Sequence, residues 1–432
     1  RRLVVTGAGG SVGSELSRQL ADCRPALLTL VDHSELHLFE ILKELADRAP
    51  GLQVEPVLAD IRQAGLMRRA ILRAAPDVVF HAAAYKHVSM MERDVCAAVG
   101  ANVLGTANVV EASREAGARF VLVSSDKAAS PRSVMGATKR LAELVALTSR
   151  AGDPRPIVVR FGNILGSSGS LLAILRDRVR RGLPLSLTDP SATRYVMTGG
   201  EAVALVMKSD LLARRPETYW LDMGQPVAIG ALAERLLAIE EAAGFARVPI
   251  EVVGLGPGEK RCEELTTQGL EMCPTEHRRI FVARQRAADG SAVTKAVERL
   301  RRMVDDGAAE AALAELDAFA AVAAKAHLGL QLVQLVGNLL AGQAGAALVQ
   351  QTGGKTGHGL LAEQALLVAK AQHQARMHDT AAGALGEQGH FQSAHLRKLR
   401  ARVQRGRCGV EGLDLSGGSI AAVILDHGGH VY

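Results

Sequence analysis

Two patterns alternate along the first 285 or so residues. Short β-branched runs are apolar throughout: LVVTG, LLTLVD, VEPVLAD, DVVFHAAA, RFVLVSS and PIVVRFG. Between them, stretches such as GSELSRQLAD and NVLGTANVVEASREAG place apolar residues at helical spacing. A run without polar alternation reads as a buried strand, covered on both faces as in a parallel sheet. Strand–helix alternation of this kind predicts an α/β fold, a doubly wound parallel sheet of the Rossmann type. Ligands of such sheets bind outside the carboxyl ends of the strands.

From about Asp289 the pattern changes. SAVTKAVERLRRMVDDGAAEAALAELDAFAAVAAKA is Ala-rich with a helical period, and beyond Ala326 the alternation stops. Leu328 to Val349 carries no charge, but Gln331, Gln334, Asn338 and Gln343 interrupt it, so a plain apolar helix is preferred to a membrane span. GGKTGHG imitates the end of a phosphate-binding loop. The first Gly of that motif would fall at Val349, so the match is rejected. The expected organisation is 1–160 for dinucleotide binding and catalysis, 161–285 for a small C-terminal substrate-binding part, and 286–326 for a helical extension. Residues 327–432 form a tail of unassigned role, expected to be disordered or the product of a shifted reading frame.

Composition narrows the class. Of 432 residues, 48% are hydrophobic and 22% charged, the balance of a soluble globular protein with a substantial core. Aromatic residues at 3% leave little for base stacking, so nucleic-acid binding is not expected. Much of the +6 net charge sits in LRKLRARVQRGR, read as a solvated helix face or tail. Cysteines at 23, 96, 262, 273 and 408 form no CxxC pair. Neither a zinc site nor a disulfide framework follows, and a reducing, cytoplasmic compartment fits. No signal peptide is visible, and the first residues enter a strand directly, as in a fragment of something longer.

The first candidate site follows the first strand. Gly7, Gly10 and Gly13 in TGAGGSVGSEL give GxxGxxG, and Ser11 and Val12 complete the loop. Gly7 permits a tight turn, Gly10 a close approach to a pyrophosphate, and Gly13 packing of helix on strand. The helix N-terminus then faces the negative charge. Asp32 ends the second strand at the spacing of an acid that binds the adenosine ribose hydroxyls. It would repel a 2′-phosphate, so NAD is expected over NADP. After the third strand, Asp60 is placed to bond the adenine amine, with Ile61 beside it; Ala82 and Ala83 pass beneath the cofactor.

The second candidate site is VSSDKAASPRSVMGATKR, Val123 to Arg140. Ser125, Asp126 and Lys127 follow a strand end, and Lys139 stands four residues after Met135. Together with HAAAYKHVSMMER, NVLGTANV, VRFGNILGSSGS, TRYVMT, LDMGQPV, GPGEK and TEHRRIFVAR, these motifs are similar to an extended short-chain dehydrogenase/reductase. More narrowly, Arg1 to about Arg284 resembles the bacterial 4,6-dehydratases of UDP-N-acetylglucosamine, which serve capsule, O-antigen and glycan synthesis.

That resemblance implies oxidation at C4, loss of water across C5 and C6, and return of hydride to C6. It implies Asp126 as acid for the C6 hydroxyl and Lys127 as base at C5. A neutral Lys127 needs a strongly lowered pKa, from desolvation or from Lys139 and Lys86. In most short-chain dehydrogenases a Tyr occupies the place of Met135, and a thioether moves no proton. The large dehydratases carry Met there, a form associated with retention at C5. The C4 proton must then leave through Ser125 with Asp126, or through a water. Lys139 is implied to hold the nicotinamide ribose and Asn102 to support the active-site helix. Lys86 faces the substrate, Asn163 marks the start of the uridine diphosphate, and Arg194 and Lys260 neutralise its oxygens. His87 is read as a satisfied structural histidine. One departure stands out: the family's LRPGEK has Gly256 here in place of Arg. A homo-oligomer is expected, as is membrane association through an absent N-terminal region, at the inner face. Two rivals stay open: a 4-epimerase of the same fold, which needs no Asp126–Lys127 pair, and an inactive NAD-binding module.

Overall fold

The computed structural model describes residues 1–148, 154–264, 272–283 and 290–319. The tail, with its uncharged run, its GGKTGHG segment, its basic cluster and Cys408, lies outside the described residues.

Six strands follow the apolar runs: β1 (Arg2–Thr6), β2 (Leu27–Asp32), β3 (Val54–Leu58), β4 (Val78–His81), β5 (Arg119–Ser125) and β6 (Ile157–Phe161). The later strands are β7 (Asn163–Leu165), β8 (Leu185–Leu187), β9 (Thr193–Arg194), β10 (Val196–Thr198), β11 (Glu217–Leu221), β12 (Val227–Ala228), β13 (Ile250–Val252), β14 (Met272–Pro274) and β15 (Ile280–Ala283). Among the described residues the main sheet runs β3-β2-β1-β4-β5-β6-β11-β15-β14. Its strands are parallel through β11, and β15 and β14 are antiparallel additions. The order reverses between β1 and β4, which opens a crevice at their carboxyl ends.

Helices cover both faces. Met67, Ile71, Val109, Leu141, Val293 and Leu300 belong to the core on one face. Leu16, Leu20, Ile41, Leu45, Val203 and Val206 belong to the core on the other. This double cover explains why β2, β4 and β6 are buried at every position. β3 departs from the expectation of a buried strand: it has one neighbour and alternates partly buried with exposed residues, Leu58 being 57% exposed. A third, smaller core joins the helices Leu171–Arg180 and Ile229–Ala242 through Leu175, Val179, Leu236 and Leu237. The segment 161–285 is not confined to that core, because it also supplies β11, β14 and β15 to the main sheet.

Val95–Glu115 is continuous helix, apolar and long enough to cross a membrane, yet 78% of its apolar window is buried inside the fold. Its hydrophobicity is that of a core helix. Its Gly100–Gly105 stretch is π-helical and carries Asn102. Asn102 accepts from the Tyr85 amide at 2.8 Å and donates to the Tyr85 carbonyl at 3.0 Å and to Thr138 Oγ1 at 3.1 Å. The expected support is therefore made of hydrogen bonds that tie Asn102 to Tyr85 and to Thr138 of the helix Val134–Leu147.

Candidate active site

The crevice begins at the glycine loop. Gly7 has φ +70°, and a Cβ there would lie 2.7 Å from the backbone of Ala83. A Cβ on Gly13 would sit 1.8 Å from the Gly7 carbonyl oxygen, so the helix Ser11–Asp22 touches the turn directly. Its N-terminus faces the crevice that Gly7 and Gly10 line together with Asp32, Asp60, Ile61, Ala82 and Ala83. Asp32 is 5% exposed; one carboxylate oxygen accepts from the Gly9 amide and the other from the Ser34 amide, both at 2.9 Å. The acid thereby ties the glycine loop to the end of β2 and keeps lone pairs free for hydroxyls. Asp60 is already engaged: it accepts from the Arg62 amide at 2.8 Å and from Arg62 Nη2 at 2.6 Å. The Arg62 side chain holds this carboxyl below its ordinary range. This part of the crevice thus presents an Asp60–Arg62 pair instead of a free carboxylate.

Beyond the loop lies a cavity of about 940 Å³, lined by Ser11, Val12, Ser125, Lys127, Met135 and Lys139. Ser125 ends β5, and Asp126–Ala128 turn immediately into one 3₁₀ turn. Ser125 Oγ donates to Asp126 Oδ1 at 2.8 Å, and Lys127 Nζ donates to the same oxygen at 3.0 Å. Lys127 Nζ also donates to Asn163 Oδ1 at 3.3 Å and stands 3.4 Å from Glu263 Oε1. Asp126 is fully buried, and its Oδ2 has no hydrogen-bond partner among the described residues. Gly162 makes room for it, since a Cβ there would approach Oδ2 to 3.2 Å.

The helix Val134–Leu147 is capped by Ser133, whose hydroxyl accepts from the Gly136 amide at 3.0 Å. A Cβ on Gly136 would meet the Lys127 carbonyl oxygen at 2.6 Å, so the helix start rests on the Asp126–Ala128 turn. Met135 is 3% exposed and packs into the core while lining the cavity. Lys139 Nζ donates to the Val123 carbonyl at 2.7 Å, and burial lowers its pKa to about 8 against the pull of Glu143. One turn on, Glu143 accepts from Ser124 Oγ at 2.6 Å, Arg160 Nε at 2.5 Å and Arg140 Nη1 at 3.0 Å. The Arg160 guanidinium lies 4.8 Å from the centre of the Trp220 ring. This buried network bolts the active-site helix to β5, β6 and β11. Beneath it, His81 is fully buried and its pKa falls to about 3, through burial first and Lys139 second. Thr106 Oγ1 donates to the Asn102 carbonyl at 2.7 Å, so His81 Nε2 donates to Thr106 at 3.0 Å and Nδ1 accepts from Thr6 at 2.6 Å.

Several expectations are corrected. Lys127 is not depressed: burial pulls its pKa down, but Asp126 and Glu263 outweigh this and raise it. Neither Lys139 nor Lys86 is among the largest influences on it. Arg194 and Lys260 do not line the cavity. Arg194 is buried and spends its guanidinium on the carbonyls of Thr193, Lys260 and Arg261 at 2.8–3.1 Å, so it holds the backbone of that segment. Lys260 is also buried, and its Nζ has no hydrogen-bond partner among the described residues. His87, expected as a satisfied structural histidine, is an exposed residue of the cavity wall. Lys86 does face the cavity, where Nζ donates to the Ser168 carbonyl at 2.5 Å. Ser168 also bonds Ser11 Oγ through its amide at 2.9 Å, so the GSSGS loop bridges Lys86 and the glycine loop.

Residues 3–285 match the polysaccharide biosynthesis protein family. The chain belongs to that family. Its curated relatives include the probable polysaccharide biosynthesis protein EpsC of Bacillus subtilis, 42% identical over 270 residues, which are 61% of this chain and 45% of the relative. The capsular polysaccharide biosynthesis protein CapD of Staphylococcus aureus is 40% identical over 274 residues, again 61% and 45%. The chain therefore spans less than half the length of these two proteins. A UDP-glucose 4-epimerase of Rickettsia canadensis is 28% identical over 62% of this chain and 78% of its own. Among solved structures, Pen of Bacillus thuringiensis matches with a TM-score of 0.60 at 29% identity, covering 66% of this chain and 90% of that one. DesIV, the dTDP-glucose 4,6-dehydratase of Streptomyces venezuelae solved with NAD, matches at 0.54 and 24%, covering 62% and 88%; at that identity it speaks for the fold alone. The family match ends at the last residues of the main sheet's neighbourhood and contains every candidate site residue named above.

Sequence reasoning missed Arg62, Glu143, Arg160 and Glu263. Glu263 left the faintest signal, one of two adjacent acids three residues past Lys260. Only the fold brings it to Lys127.

Proposed function

We propose that this chain is an NAD-dependent nucleotide-sugar 4,6-dehydratase that converts UDP-N-acetylglucosamine to its 4-keto-6-deoxy product in polysaccharide or glycan synthesis. The observation that carries the reading is the Asp126–Lys127 pair, in contact at 3.0 Å beside the large cavity. An enzyme that only oxidises and reduces C4 has no use for an acid and a base at that place, which weighs against the epimerase.

The residues present fit a dinucleotide. The glycine loop leaves no room for side chains at Gly7 and Gly13, as a close pyrophosphate requires, and Asp32 stands at the end of β2 for the ribose. Gly7 to Gly13, Asp32, Asp60, Ile61, Ala82, Ala83 and Lys139 would hold it. When bound, NAD supplies the acceptor for the C4 hydride and the donor for C6.

The remaining chemistry belongs to the chain. Ser125 Oγ already donates to Asp126 Oδ1 at 2.8 Å, so a proton given up by the C4 hydroxyl passes through Ser125 to Asp126. This replaces the Tyr that Met135 cannot imitate. Asp126, now protonated and itself off the cavity wall, passes this proton back through Ser125 Oγ, which lines the cavity, to the departing C6 hydroxyl and returns to its carboxylate as water forms. Lys127, in its neutral form, takes the C5 proton and gives it back when C6 is reduced. The proton from C4 leaves in the water, and both side chains end as they began. Lys86 and Asn163, on the cavity wall, receive the nucleotide side of the substrate.

Proton NMR of UDP-N-acetylglucosamine with the full chain and NAD in D₂O tests this. A new C6 methyl signal with deuterium at C5 is expected, and Lys127→Met or Asp126→Asn should each reduce its rate by about 10²–10⁴. Turnover that survives both substitutions refutes the mechanism. Bound NAD with an unchanged sugar spectrum favours the inactive module.

A further inference from the structure

The proposed chemistry needs Lys127 neutral, yet the structure surrounds its ammonium with acceptors. Asp126 Oδ1 is at 3.0 Å, Asn163 Oδ1 at 3.3 Å and Glu263 Oε1 at 3.4 Å. During the reaction Asp126 becomes neutral as it receives the C4 proton. Glu263 is then the one carboxylate that still faces Lys127 among the described residues. It is 8% exposed, and its Oε2 is buried without a hydrogen-bond partner among the described residues. Its place is set by Arg194, whose Nε lies 3.9 Å from Glu263 Oε1 and whose Nη groups hold the carbonyls of Lys260 and Arg261 just upstream. Thr193 fixes the same segment by a bridge to Cys262.

We propose that Glu263 is a positioning residue that holds Lys127 in its charged, resting form and so sets the pH at which the base becomes available. This rests on the dehydratase reading for the role of Lys127. The charged groups that act most strongly on Lys127 are Asp126, Glu263 and Arg194; the first two favour its ammonium and Arg194 opposes it. Removing the Glu263 charge therefore frees the amine at lower pH.

The test uses the full chain with NAD and two variants, Glu263→Gln and Glu263→Asp. An amine-acylating reagent is applied across pH, and the extent of labelling at Lys127 is read by peptide mass spectrometry. In parallel, kcat/KM for UDP-N-acetylglucosamine is measured over the same range. Glu263→Gln should lower the labelling midpoint by about one to three pH units, the size expected for loss of one opposite charge at this range. The ascending limb of kcat/KM should move with it, and Glu263→Asp, with its carboxylate drawn back, should fall between. A residue that merely shapes the site would lower kcat/KM at every pH and leave both midpoints in place, and that result overturns the proposal. A midpoint that moves in a chain that does not dehydrate the sugar upholds the role of Glu263 and refutes the dehydratase reading instead.

Discussion

Arg160→Met tests the buried network behind the catalytic segment. Arg160 and Glu143 are both fully buried, and Arg160 grips the carboxylate through Nε and Nη2. Burial alone would push the Glu143 carboxyl up, but Arg160 and then Arg140 outweigh it and hold it below the ordinary range. Methionine nearly fills the space of the arginine, so little of the expected loss is cavity. What is lost is the main partner of a buried charge, about 3–5 kcal/mol, with up to about 2 kcal/mol more from the contact over Trp220. Arg140 and Ser124 remain on Glu143, which places the net cost near 4 kcal/mol. With a urea slope of about 3 kcal/mol/M, the unfolding midpoint should fall by roughly 1.3 M. The pair Arg160→Met with Glu143→Gln neutralises the stranded carboxylate, keeps an acceptor for Arg140 and should recover part of that shift. A single variant within about 0.3 M of the parent, or a double variant no better than the single, would refute the account of the network as a charge clamp.

Three further outcomes follow from the same geometry. Lys139 has a folded pKa near 8, below its unfolded value, so the folded state binds fewer protons and stability rises as pH climbs from 8 toward the unfolded value. The stability of the parent relative to Lys139→Met should therefore improve by up to roughly 3 kcal/mol over that window; a constant gap in denaturation midpoints across pH would contradict it. Gly13→Ala places a methyl 1.8 Å from the Gly7 carbonyl oxygen, so NADH affinity by fluorescence titration should drop at least about tenfold; unchanged affinity would show that the helix is free to shift. Ser125→Ala interrupts the relay to Asp126 and should slow appearance of the C4 ketone by about 10²-fold or more, while Ser125→Thr keeps a hydroxyl and should restore part of the rate.

Much of this was legible along the chain, and the reasons differ by residue. The apolar runs announced β1, β2, β4, β5 and β6 because a strand covered on both faces has no polar alternation to hide. β3 carries the same kind of run, but its outer position is a fact of topology, and nothing local marks it. Gly7 and Gly13 were readable because each answers a backbone demand confined to a single turn. The state of Lys127 was not, since desolvation and opposing carboxylates act in opposite directions and only distances decide between them. Arg194 misled for a similar reason: its charge suggested an anion, while its neighbours turned out to be carbonyl groups of its own chain.

In the role proposed for Glu263, the acid that governs Lys127 comes from a stretch 136 positions beyond it. That acid stands behind Lys127 and off the cavity wall, so on this reading a distant part of the chain tunes the base without touching what the base acts on. Grafting the later half of one relative onto the first half of another would then carry a new working pH across with it.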